Sequence, residues 1–235
     1  MGAHPYGWWI ILHLVLFVFW LGGDLGVYYS SRFVIRPDVT PAARNTALSI
    51  MSGLDLGPKI CLVLFFPSGV TLMAMDPHGA KLAGHDVFSW PLVVLTWVFA
   101  FGWLASTIVD HRTHGGYPWV RRADWTIRIG LIAVLLGMAG YAFFAAEPFG
   151  VTTNPRWLAG KIFFYGLAIA CGLGIRIKLR PFGPAWGGLM TRGSTPETEN
   201  AIKRSIDGSV PYVLGIWGSV LIAAALGVLK PGANL

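Results

Sequence analysis

The chain has 235 residues and a formal net charge of +7; 54% of residues are hydrophobic and 12% charged, against roughly 25% charged in a soluble domain. With a mean hydropathy of +0.60, this excludes an ordinary soluble globule. The 14% aromatic content and long apolar runs exclude a disordered chain despite 30 glycines and 15 prolines. Nor does the positive charge imply a nucleic-acid partner, because the cations stand between apolar segments, where they act as topology determinants.

The first twenty residues, MGAHPYGWWIILHLVLFVFW, lack a basic n-region and a small-residue cleavage site, so they read as a retained first span. Tyr6 stands where a myristoylation signal needs Ser or Thr. A bilayer crossing takes about 20 apolar residues, and six stretches qualify: about 7–31, 56–75, 89–109, 125–146, 157–178 and 209–229. After the first, Thr40-Pro41 ahead of AARNTALSIM predicts an N-cap with proline at the first helical position, and so a short interfacial helix. The remaining breaks, DPHGAKLAGHD, HRTHGGYPW, EPFGVTTNPR and RPFGPAWGGLMTRGSTPETEN, carry turn chemistry. The expected fold class is an all-α polytopic membrane helix bundle of six transmembrane helices, one integral membrane domain over residues 1–235.

Cations accumulate after spans one, three and five: Arg32, Arg36 and Arg44, then Arg112, Arg121 and Arg122, then Arg176, Lys178, Arg180, Arg192, Lys203 and Arg204. The opposite side offers Lys81, Arg156, Lys161 and Lys230. The positive-inside rule then places the basic loops in the cytoplasm and both termini outside. Trp8, Trp9, Trp90 and Trp157 mark the outer interface, Trp119 and Trp125 the inner one.

Ionisable side chains inside spans are costly in hydrocarbon and therefore informative. His13, Asp24, Lys59, Arg128 and Lys161 qualify, with Asp24 expected to be the most deeply buried acid. At 100° per residue, His13, Trp20, Asp24 and Ser31 fall within about 20° of one line on the first helix. His13 can ligate a metal, haem iron included, or simply hydrogen-bond to a neighbouring span. Lys161 lies at similar depth from the same side, so the two can share a cavity, unless Lys161 snorkels outward. His111 and His114 stand at the opposite interface, too far to join His13 on one iron, and read as solvated. Met73, Met75 and His78 offer soft ligands for copper, and Met73 can also approach an iron opposite His13. Cys61 and Cys171 have no ligand spacing and read as packing residues. Arg32, Arg36, Arg176 and Arg180 are candidates for lipid headgroups or porphyrin carboxylates, and Asp24 has only a poorly registered partner in Arg32.

Four segments together resemble the HemJ-type protoporphyrinogen oxidases, small membrane proteins that bind haem b. HLVLFVFWLGGDLGVYYSSRFVI resembles that family's opening helix, with His13, Trp20, Gly22, Tyr28 and Arg32 at its characteristic places. LSIMSGLDLGPKICLVLFFPSGVTLM is similar to the interfacial helix and second span, with Lys59 on a basic position. WLAGKIFFYGLAI places Lys161 on the family's functional lysine, and RSIDGSVPYVLGIWGSVLIAAALGVLKP resembles the last helix. The resemblance covers half to two thirds of the chain. Spans three and four look inserted, Asp24 has no counterpart, and Asp207-Gly208 stands where the family has Asn-Glu. Copper resistance protein D-like membrane proteins share parts of the pattern.

The resemblance implies haem b held by His13, with Trp20, Arg32 and Lys161 around it, Lys161 in a catalytic role, and oxidation of a porphyrin substrate with electrons passed to quinone or a respiratory partner. Two other expectations stand beside it. One is a cytochrome b-type subunit that relays electrons within a homo-oligomer or larger respiratory complex. The other is a copper-handling or structural membrane subunit without haem.

Overall fold

The computed structural model describes residues 5–75, 81–82, 85–113, 115–148 and 156–231. Seven helices follow one another: α1 (Pro5–Val34), α2 (Pro41–Met75), α3 (Trp90–Arg112), α4 (Pro118–Phe144), α5 (Arg156–Lys178), α6 (Phe182–Arg192) and α7 (Pro196–Leu229). Six segments are long and apolar enough to cross a membrane, one containing both α5 and α6. A two-residue antiparallel pairing, Lys81–Leu82 with His85–Asp86, lies between α2 and α3. The protein is thus an all-α polytopic bundle.

Lipid is the solvent for which this surface is made. Phe19 of α1, Val98 of α3 and Val228 of α7 are 67%, 65% and 75% exposed; in water such a belt would drive aggregation. In hydrocarbon it costs nothing, while the backbone amides are satisfied within each helix. With lipid tails as apolar as the core, helices associate through close packing, which small residues permit. The α5–α7 contact is built this way. A Cβ on Gly160 would strike Leu226, one on Gly215 would strike the Cys171 sulfur, and one on Gly174 would fall into the Tyr212 ring. On the other side of the bundle, Gly23 and Gly26 of α1 admit Pro58 and Leu54 of α2 in the same fashion.

The membrane core joins Leu16 and Trp20 of α1, Cys61, Leu62 and Val63 of α2, Trp103 of α3, Leu135 of α4, Ile169 of α5 and Ile216 of α7. A second core lies at the arginine-rich end, where Val34, Trp186, Leu189, Ile202 and Ile206 pack together. At 1.5 Å per residue, the 35 residues of α2 and 34 of α7 span about 50 Å, well beyond a hydrocarbon core of about 30 Å. Their projecting ends carry this second core. Arg44 fixes it: its Nε donates to the Val34 carbonyl at 2.8 Å and its two terminal nitrogens to Glu199 at 2.7 and 2.9 Å.

Two expectations change here. Thr40 does cap a helix, accepting from the Ala43 amide at 3.4 Å, but that helix does not end at the interface; it continues through Pro58 and Pro67 as a single α2. The residues after span five are not one long loop, because 182–192 form α6 and α7 begins at Pro196. Thr195 and Thr198 there close a reciprocal capping box that starts the helix a dozen residues before the apolar run.

Gly174→Ala is expected to lower stability by about 1–3 kcal/mol through overpacking against Tyr212, read as a lower thermal unfolding midpoint in detergent, while Gly137→Ala, which meets nothing within 4 Å, leaves the midpoint unchanged.

Candidate functional site

An apolar cavity of about 500 Å³ opens among α1, α2, α4, α5 and α7, at the end of the bundle opposite the basic loops. His13, Trp20, Phe65, Met73, Lys161 and Tyr165 are among its lining residues. His13 and Lys161 both line this cavity, an arrangement their similar depth permits. Arg32 does not belong to it: it stands 19 residues along α1 from His13, about 28 Å by helix rise.

The chemistry of His13 follows from α2. Pro67 interrupts the local amide ladder, and next to it the Ser68 hydroxyl donates to the Phe65 carbonyl at 3.1 Å. Ser68 Oγ also lies 2.9 Å from His13 Nδ1. With the hydroxyl proton on the Phe65 carbonyl, Nδ1–H is the donor to Ser68, and in that tautomer Nε2 keeps its lone pair. Nε2 is buried with no hydrogen-bond partner among the described residues, in a residue that borders the cavity. Phe65 packs on the ring with centroids 4.4 Å apart, and Gly69 leaves the ring edge free of a side chain. A neutral imidazole oriented by a hydrogen bond through its other nitrogen is how proteins present this group to a metal.

Lys161 reaches the cavity because α7 carries glycine opposite it; a Cβ on Gly227 would lie 2.6 Å from Nζ. Among the described lining residues Lys161 and Lys230 are the charged groups, and no carboxylate joins them. The cavity is thus apolar with two amines and one imidazole nitrogen without a partner among the described residues, a set suited to an apolar ligand that bears acid groups.

These features fit a porphyrin. About 500 Å³ lies within the range of roughly 300–1,000 Å³ for cofactor pockets. No group of three His, Cys, Asp or Glu side chains suited to a bare metal ion occurs among the described residues, whereas a porphyrin brings its own four equatorial nitrogens and asks the protein for one axial ligand. Met73 borders the same space. His78 and His114 lie outside the described residues.

Sequence reasoning misjudged the opposite end. The most deeply buried acid is Asp124 of α4, 0% exposed, not Asp24. It accepts from Trp103 Nε1 at 2.9 Å, Thr107 Oγ1 at 3.4 Å, Arg128 Nε at 2.9 Å and Arg176 Nη1 at 2.7 Å. Lying just before the fourth apolar run, Asp124 looks interfacial in sequence; the i,i+4 spacing to Arg128 was the available signal. Arg32 pairs with Asp207 of α7 at 3.0 Å rather than with Asp24, so the departure at Asp207 supplies a partner. His111 is not solvated: its side chain is 14% exposed, with Nδ1 3.4 Å from Lys59 Nζ and 3.9 Å from Asp55. Arg36 binds Asp38, and Arg180 lies 5.5 Å over the Trp125 ring. Cys61 is buried in the membrane core and Cys171 packs against it, as expected.

The chain matches no known protein-family model, no curated protein and no solved structure.

Asp124→Asn is expected to cost about 3–5 kcal/mol, because Arg128 would be left as an uncompensated buried charge; the measurement is the unfolding midpoint in detergent, and the double change Asp124→Asn with Arg128→Gln should recover part of the loss.

Proposed function

We propose that the protein is a haem b-binding oxidoreductase of the bacterial inner membrane that oxidises a porphyrinogen-type substrate and delivers the electrons to quinone or a respiratory partner. The single observation that carries this reading is the His13 ring: Nδ1 is 2.9 Å from the Ser68 hydroxyl, and Nε2 is buried without a hydrogen-bond partner among the described residues, beside an apolar cavity. The resemblance of the four segments to the HemJ-type oxidases supports it independently of that geometry.

On this reading His13 Nε2 would hold the haem iron, Trp20 and Phe65 would wall the space around it, and Lys161 would face the acid groups of the cofactor or substrate. Bound haem would supply one-electron redox chemistry. The chain's own residues orient the imidazole, exclude water with apolar walls and hold a proton at Lys161 Nζ. Arg32 has no place in this cavity and acts as a topological and structural cation paired with Asp207.

The test is a reduced-minus-oxidised absorption spectrum of the purified, haem-supplemented protein. A b-type signal that disappears in His13→Ala supports the reading; no signal in the native chain overturns it. Ser68→Ala, which removes the hydrogen-bond partner of His13 Nδ1, is expected to weaken haem retention about 10–100-fold. Lys161→Ala should keep the haem signal and lose porphyrinogen turnover, followed by porphyrin fluorescence; turnover absent in the native chain with haem present would identify an electron relay instead.

A further inference from the structure

The cavity sits toward one end of the bundle, yet ionisable groups continue from its wall to the other end. Trp20 borders the cavity, and Asp24 stands one turn further along α1. Asp24 lies 11 residues from His13 and 8 from Arg32, about 16 Å and 12 Å along the axis. It is therefore placed between the cavity and the arginine-rich end. From α2, Asp55 and Lys59 act electrostatically on Asp24, and Asp24 acts in turn on Cys61. Lys59 is committed to Asp55 as an i,i+4 ion pair, and His111 of α3 stands against both. On the α7 side the acid, Asp207, is taken by Arg32 and Lys203.

Asp24 thus has no cation of its own, and its Oδ2 is buried without a hydrogen-bond partner among the described residues. Asp124 is the opposite case: two guanidinium groups and an indole hold it, so it is fixed as an anion and is a poor carrier. Two more unpartnered atoms lie beside these groups, Asp110 Oδ1 and Arg128 Nη2. Buried polar atoms without protein partners are the places where internal water is held. Three such atoms stand at this end of the bundle, in a protein surrounded by hydrocarbon.

We propose that Asp24 is a proton relay connecting the cavity to the aqueous phase at the arginine-rich end, by way of internal water and the His111–Asp55–Lys59 cluster. A proton enters from bulk water at His111 or Asp55, passes to the Asp24 carboxylate and leaves to water at the cavity wall beside Trp20, or makes the reverse journey. Each carrier returns to its starting form and no electron moves along this route. Its use in redox turnover rests on the proposed function; the route itself does not.

Neither test requires haem. In the full chain carrying Cys61→Ala and Cys171→Ala, the Asp24→Cys variant is exposed to a charged, membrane-impermeant methanethiosulfonate in vesicles of each orientation. Modification from the arginine-rich side alone is expected, with Phe19→Cys on the lipid face unmodified; an unmodified Asp24→Cys variant, or modification only from the other side, overturns the proposal. Infrared difference spectra of the otherwise native chain provide a second test that does not depend on the cysteine-free background folding. A carboxyl band that titrates with pH, shifts promptly in D₂O and is missing in Asp24→Asn is expected; without such a band the relay is wrong. A relay that passes both tests in a protein showing no b-type spectrum would stand while the haem reading fell.

Discussion

A polar atom inside this bundle has no bulk water to turn to, so its partners must come from the chain, from bound water or from a ligand. That constraint sorts the interior into two regions. Toward one end nearly every charged group is matched: Asp124 by Arg128 and Arg176, Asp55 by Lys59, Asp207 by Arg32 and Lys203, Glu199 by Arg44. Toward the other end the interior is an apolar cavity with an unmatched imidazole nitrogen and two amines. Pairing holds the helices at the first end, and the absence of pairing creates chemical opportunity at the second.

Glycine placement connects the packing to that opportunity. Where α5 and α7 approach, Gly160, Gly174, Gly215 and Gly227 each receive a side chain from the partner helix. Three of those side chains simply fill space. The fourth is Lys161, and the missing Cβ at Gly227 is what lets its amine lie at the cavity rather than be pushed outward. A device that lets membrane helices associate without a hydrophobic driving force therefore also aims a functional group.

Much of the fold was legible from the sequence because hydrocarbon imposes a length and a composition on every crossing, and six runs met both. The extensions of α2 and α7 were not, because outside the membrane an apolar run is no longer required and a helix can continue on polar residues such as those of 41–52 and 196–204. His13 and Lys161 were legible as a pair because depth along two helices can be counted. The partner of His13 was not: a serine three residues from a cavity phenylalanine carries no periodic signal. Asp124 escaped for a different reason. A window that measures apolarity ends where a charge begins, so a carboxylate neutralised by two arginines inside the bundle is read as the edge of a span.

The inventory of the cavity narrows what can fill it. An alkyl chain would satisfy the apolar walls but would leave the Lys161 amine and His13 Nε2 without partners, while Lys230 already lies 5.4 Å over the Trp157 ring. A bare metal ion would use the imidazole, with Met73 on the same wall, and leave most of the cavity surface uncovered; no group of three His, Cys, Asp or Glu side chains is present among the described residues. On the proposed reading a metalloporphyrin would answer all three features at once: the aromatic walls would enclose it, His13 Nε2 would hold its metal and the lysine amines would face its carboxylates. The selection comes from the coincidence of these demands within about 500 Å³, a coincidence that none of the separate groups would impose alone.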